Sequence, residues 1–199
     1  MFSWKEIGRK SIRLPGYDYS TPGLYYITIC TQNREHWFGH VAKSPANVGA
    51  DPCIGPPPTA RVELSEIGLM VETYWNKLPR KFPNIILDEF VIMPNHIHGI
   101  VEMRENVHEG GPIHGSAPTP GPTTASTTVP RVVQWFKQMT TNAFIRHHRE
   151  NHTFFDRRLW QVDYYERIVR GNEDLERIRE YIRNNPQKWK IDQMNTARV

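Results

Sequence analysis

Two histidines separated by one isoleucine, His96-Ile97-His98, stand in an apolar run with strand character. Side chains alternate along a strand, so both imidazoles project from one face while Ile97 points into the opposite layer. Two imidazoles so placed are the minimal geometry for sharing a divalent cation. The same pattern also makes a polar sheet face or a satisfied core pair, and two ligands alone leave a cation underbound. Late in the chain Tyr181 and Asn185 fall one helical turn apart, at the edge of the face formed by Leu175, Ile178 and Ile182 at about 100° per residue. If that face met the sheet face carrying the histidines, a phenol and an amide oxygen would join them as nucleophile and third ligand. Taken alone, the pair also reads as an amphipathic rim tyrosine and a helix-terminal amide before proline.

The elements that would position these groups alternate in type. Residues 23–31 follow a Pro-Gly signal and are rich in β-branched and aromatic side chains, which predicts a buried strand. Residues 65–78 carry Ile67, Val71, Trp75 and Leu78 at helical spacing behind Ser65, an N-cap candidate. Apolar strands at 85–92 and 97–103 meet through Met93-Pro94-Asn95, which suits a hairpin or tight bend. Val132, Phe136, Met139 and Ala143 mark a helix over 131–148 with Lys137, Arg146 and His147 on its outer side. A last helix opens at Asn172 as N-cap and is expected to stop at Pro186. The order implies an α+β sandwich, a mostly antiparallel sheet covered by helices.

Two segments interrupt this pattern. Residues 43–60 and 104–130 together hold ten of the 16 prolines and six of the 13 glycines but few large apolar side chains, and read as flexible insertions in a single domain spanning residues 1–199. No apolar run is long enough for a membrane span and the first residues lack a signal-peptide core, so a soluble, cytoplasmic protein is expected. Two cysteines, Cys30 and Cys53, exclude a disulfide framework and a four-thiolate zinc site. A net charge of +4 is compatible with a polyanionic partner without requiring one.

Four blocks carry a resemblance to a known family: Ser11-Ile12-Arg13-Leu14-Pro15-Gly16-Tyr17-Asp18-Tyr19-Ser20, Tyr26-Ile27-Thr28-Ile29-Cys30-Thr31, Met93-Pro94-Asn95-His96-Ile97-His98 and Tyr181-Ile182-Arg183-Asn184-Asn185-Pro186. In order and spacing they resemble the REP-associated tyrosine transposases, single-tyrosine members of the group named for its His-hydrophobic-His motif. The resemblance implies a ferredoxin-like fold and a divalent metal, Mg²⁺ or Mn²⁺, held by His96, His98 and Asn185. It also implies cleavage of single-stranded or hairpin DNA by Tyr181, in a monomer or homodimer. The insertions are not part of the family pattern. Tyr164 and Tyr165 compete with Tyr181 for the role of nucleophile.

The residue types suit that chemistry. A phenol of pKa about 10 needs a base, a water relay or a cation before it attacks phosphorus well, and two imidazoles with an amide oxygen leave positions open for phosphate and water. A DNA strand needs cations interleaved with aromatics. Arg9, Lys10 and Arg13 with Tyr17 and Tyr19 provide one such cluster, and Arg157 and Arg158 with Trp160 and Tyr164 another, unless Trp160 belongs to the core. A catalytically disabled DNA-binding domain and a water-using metal hydrolase are the competing readings.

Overall fold

Strand β1 (Gly23–Cys30) pairs along its whole length with β5 (His96–Met103), which pairs on its other side with β4 (Ile85–Met93). Strand β6 (Tyr165–Ile168) closes the far edge against β1, giving a four-stranded antiparallel sheet in the order β4-β5-β1-β6. Helix α1 (Glu66–Asn76), followed by the single turn α2 (Leu78–Lys81), links β1 to β4, and α3 (Val129–Glu150) links β5 to β6. Two strand-helix-strand units joined by a hairpin, with this strand order, make a ferredoxin-like sandwich. A final helix, α4 (Gly171–Lys188), follows β6. The structure is a computed structural model that describes residues 18–43, 60–105, 127–153, 158–191 and 194–195.

The two sheet faces have different coverings. Tyr25, Ile27 and Ile29 of β1 and Ile97, Val101 and Met103 of β5 pack in one core with Val71 and Trp75 of α1 and Val132, Phe136 and Phe144 of α3. Tyr26 of β1 and Ile100 of β5, facing the other way, pack against Ile178 and Ile182 of α4. Ile97 therefore anchors the histidine strand to the α1/α3 core, while His96 and His98 share the parity of Ile100 and lie under α4. Gly99 fits the first core by having no side chain, since a Cβ there would come within 2.3 Å of the Trp75 ring. Ser65 caps α1 as its position suggests: its hydroxyl accepts from the Gly68 amide at 3.1 Å and donates to the Trp37 carbonyl at 2.6 Å.

Several boundaries differ from the sequence reading. Strands β2 (Gly39–Lys43) and β3 (Ala60–Leu64) pair with each other, with Lys43 opposite Ala60, so the end residues of the 43–60 segment are the last rung of a hairpin. Each strand is five residues long and half polar, too short for alternation to stand out. Helix α3 begins at Val129, inside the segment read as 104–130, because Thr128 caps it and Pro130 occupies the first turn, where no amide is needed. Helix α4 begins at Gly171, with Asn172 already inside it and the Arg170 amide donating to Asp174 at 3.1 Å. Pro186 does not end the helix, which continues to Lys188 and into a 3-10 turn over Trp189–Ile191. Lys137 is not an outward cation: its ammonium donates to the carbonyls of Gln161, Val162 and Asp163. Residues 44–59, with Cys53, and 106–126 lie outside the described residues.

Replacing Gly99 by alanine should destabilise the protein by about 1–3 kcal/mol, because the added methyl overpacks a fixed indole in the central strand pair. Urea unfolding followed by tryptophan fluorescence reads this as a lower midpoint at unchanged slope. An unchanged midpoint would show that Trp75 does not pack against β5 in this way.

Candidate active site

The histidines open β5, opposite Cys30 and Thr28 of β1. Both are buried, at 0% and 1% exposure, with ring centroids 4.5 Å apart. Each imidazole is held through Nδ1. In His96 that atom lies 2.8 Å from Oδ1 of Asn95, in the two-residue turn joining β4 to β5. In His98 it lies 2.7 Å from the Tyr26 hydroxyl and 2.8 Å from that of Thr28. The Nε2 atoms of both rings are buried with no hydrogen-bond partner. Burial favours the neutral rings. It pushes His96 well below the usual histidine range, helped by His98, and takes His98 down to about 3, helped by the charge of Arg34.

Arg34 follows β1 in a short turn where Asn33 and Arg34 both take left-handed backbone angles, φ 55° and 59°. That turn aims the Arg34 carbonyl at the Asn95 amide, 3.1 Å away, and buries a guanidinium nitrogen without a partner.

Helix α4 supplies the opposite wall. The Tyr181 ring is 41% exposed, with its centroid 5.3 Å from that of His98 and 6.5 Å from that of Tyr26. One turn on, Asn185 is buried and its Oδ1 has no partner. Another turn on, past Pro186, Trp189 places its ring 5.9 Å from His96 and 5.4 Å from His36. The helix is fixed to the edge strand by two ion pairs on either side of Tyr181. Arg179 grips Asp88 with two guanidinium nitrogens, and Arg183 Nε donates to Glu89 at 2.7 Å. Both carboxylates sit where the β4–β5 register shifts between Leu87 and Phe90. The Arg179 hydrogen bond holds the Asp88 carboxyl below its usual range.

Two imidazole nitrogens and one amide oxygen, all buried and lacking hydrogen-bond partners, fit a divalent cation. Among the described residues none of the three atoms has a hydrogen-bond partner, and nitrogen with oxygen suits Mg²⁺ or Mn²⁺ better than a thiolate set would. Among the described residues there is no group of three or more His, Cys, Asp or Glu that could hold a metal ion, so the residues proposed for one are these two imidazoles with the Asn185 amide.

The remaining sequence candidates fall elsewhere. Trp160 is a correction: it is 4% exposed, packs against Phe38 and Phe136 and donates its indole N–H to Thr140 at 2.8 Å, leaving no ring face for a base. Arg158 is exposed, whereas Arg9, Lys10, Arg13, Tyr17 and Arg157 lie outside the described residues. Tyr164 bonds to Glu166 and lies under the Lys137 ammonium, joined to the core on the α1/α3 side. Tyr165 is on the site face, 6.2 Å from the Tyr26 ring. Tyr26, Thr28, Asn95, Arg34 and Trp189 were not singled out from sequence as parts of the site. Strand parity could have found Tyr26 and Thr28, and the i, i+4 spacing from Asn185 could have found Trp189 had Pro186 not been read as a stop.

The family model described as "Transposase IS200 like" matches residues 123–185, which include α3, β6 and α4 through Asn185 but not the histidine strand. A protein of Haemophilus influenzae, strain Rd, described as uncharacterized, is 37% identical over 188 residues, covering 94% of this chain and 92% of that protein. Among solved structures, a REP-associated tyrosine transposase bound to a REP hairpin is similar at TM-score 0.49 and 15% identity, over 88% of this chain and 73% of that one. A candidate transposase of Deinococcus radiodurans is similar at TM-score 0.41 and 16% identity, over 86% and 95%.

Burial of the two imidazoles sets a pH dependence for the metal-free protein. The unfolded chain takes up protons at the ordinary histidine pKa of 6.5, which the folded rings refuse until much lower pH. Their contribution to stability is complete above that value and is lost as pH falls below it, by up to about 1.4 kcal/mol per pH unit for each ring. Thermal melting in chelator should show a falling Tm from about pH 6.5 to about pH 5, with a shallower fall in His98→Gln. Equal slopes in both proteins would mean that His98 is not held neutral.

Proposed function

The chain belongs to the family of IS200-like transposases, and from that premise we propose that it cleaves and rejoins single-stranded DNA, with Tyr181 as nucleophile and a divalent metal held by His96, His98 and Asn185. The observation that supports this reading is the pair of buried imidazoles whose Nε2 atoms have no hydrogen-bond partner, with the half-exposed ring of Tyr181 from the same chain 5.3 Å from that of His98 and the buried, partnerless Oδ1 of Asn185 one turn further along the same helix.

In this reading the exposed side of Tyr181 receives the scissile phosphate. Its hydroxyl oxygen attacks phosphorus and the bond to the 3′-oxygen breaks. The phenol gives up its proton as the departing oxygen gains one, leaving a 5′-phosphotyrosine and a free 3′-hydroxyl. One phosphate ester has replaced another, so a second 3′-hydroxyl can reverse the step without ATP. Mg²⁺ or Mn²⁺, when bound, supplies Lewis-acid polarisation of the phosphate. The chain's own residues do the rest: Tyr26 and Thr28 orient His98, Trp189 covers His96, and the two salt bridges of α4 keep Tyr181 against the histidine face. The arginines and lysine at positions 9, 10, 13, 157 and 158 track the phosphates. The substrate is a hairpin-forming repeat with a single-stranded flank, as the sequence resemblance implies.

Incubation of the protein with labelled single-stranded hairpin DNA and Mn²⁺ should give a covalent adduct that survives boiling in detergent, with the nucleotide mapped to Tyr181 by mass spectrometry. Tyr181→Phe should fold and bind the strand but form no adduct. The double variant His96→Ala, His98→Ala should lose about 100-fold or more of the cleavage rate. An adduct on Tyr165 would overturn the choice of nucleophile, and binding without any adduct in the unaltered protein would leave a DNA-binding domain lacking this chemistry.

A further inference from the structure

Asn95 is wholly buried in the turn between β4 and β5, and its carbonyl and both side-chain polar atoms have partners. Its carbonyl accepts from the Thr31 amide at 2.9 Å and the Thr31 hydroxyl at 3.0 Å. Its side-chain nitrogen donates to the carbonyl of Arg34 at 3.1 Å and to that of Met194 at 2.6 Å. Its side-chain oxygen lies 2.8 Å from Nδ1 of His96. The amide cannot be turned the other way round, because that would set Oδ1 against two carbonyl oxygens with no hydrogen to give. Oδ1 must therefore accept, and the only hydrogen it can accept from His96 is one on Nδ1. A neutral ring with its proton on Nδ1 has a bare lone pair on Nε2, the atom that has no partner.

His98 has no such constraint. The Tyr26 and Thr28 hydroxyls beside its Nδ1 can each donate or accept, so either tautomer satisfies them. An unconstrained histidine favours the proton on Nε2, where it would block a ligand bond. We propose that Asn95 is a positioning residue that fixes His96 as the Nδ1–H tautomer and so presents its Nε2 lone pair to the site, coupling that choice to the Arg34 turn and to the Met194 segment after α4. The use of this lone pair for a metal rests on the proposed function, whereas the tautomer itself does not.

The experiment uses the full-length, metal-free protein with isotope-labelled histidine nitrogens. Long-range proton–nitrogen NMR correlations at neutral pH report the tautomer of each ring, and the His96 signals are identified by their absence from His96→Gln. Unaltered protein should show His96 protonated on Nδ1. In Asn95→Ala the ring should move to a mixture dominated by Nε2–H, and calorimetry with Mn²⁺ alone should give an affinity weaker by about 10–100-fold. A proton on Nε2 of His96 in the unaltered protein overturns the proposal, as does an unchanged Nδ1–H pattern in folded Asn95→Ala. If Asn95→Ala does not fold, the spectrum of the unaltered protein still decides. A correct tautomer in a protein that takes up no Mn²⁺ would contradict the metal-dependent function and leave the assignment of Asn95 standing.

Discussion

Two imidazoles taken completely out of water, with rings 4.5 Å apart, set the constraint that organises this molecule. Charged, they would repel each other in a medium that solvates neither, so the folded protein holds them neutral. Each neutral ring still has one N–H to satisfy and one lone pair to accommodate. The protein supplies a partner at Nδ1 of each ring and none at Nε2. Leaving buried polar atoms without partners costs stability, and Oδ1 of Asn185 on α4 is a third such atom.

The sheet order makes the arrangement possible. Strand β5 lies between β4 and β1, so the histidines have a strand on each side and α4 above. Strand β1 contributes Tyr26 and Thr28, the β4–β5 turn contributes Asn95, and the bulged part of β4 contributes the carboxylates that fix α4. The opposite face of β5 is held just as closely, with Ile97 in the α1/α3 core and Trp75 filling the space beside Gly99. Alternation along one strand thus separates two faces: odd-numbered residues stabilise the sandwich, and His96 and His98 face α4. Because α4 runs past Pro186, Trp189 reaches His96 and the chain beyond it brings the Met194 carbonyl onto Asn95. One segment therefore serves both the tyrosine wall and the turn that orients a histidine.

Much of this was legible in the sequence because the periodicities involved are strong. The two-residue repeat of 97–103, the cap at Ser65 and the Val132–Phe136–Ala143 face each point to one element type, and tertiary packing agrees with them. The approach of Tyr181 on α4 to the histidine strand was legible only as a condition, since no local pattern says which sheet face a helix covers. The five-residue strands β2 and β3 and the four-residue β6 carried too little alternation to distinguish them from loops. Trp160 could be read two ways, and the indole hydrogen bond to Thr140 that makes it a core residue joins positions 20 residues apart. Pro186 misled because a proline near a helix end loses only one hydrogen bond, to the Ile182 carbonyl, and packing of Trp189 against His36 and His96 carries the helix beyond it. Asn95 was visible as part of a turn, but its role depends on carbonyls from Arg34 and Met194, 61 and 99 residues away along the chain.

The most direct test of the account is a crystal of the protein soaked in Mn²⁺ and measured at a wavelength where manganese scatters anomalously. The account predicts one strong anomalous peak bonded to Nε2 of His96, Nε2 of His98 and Oδ1 of Asn185, beside the Tyr181 ring of the same chain. Manganese bound elsewhere, or bound at this site without Asn185, would contradict it.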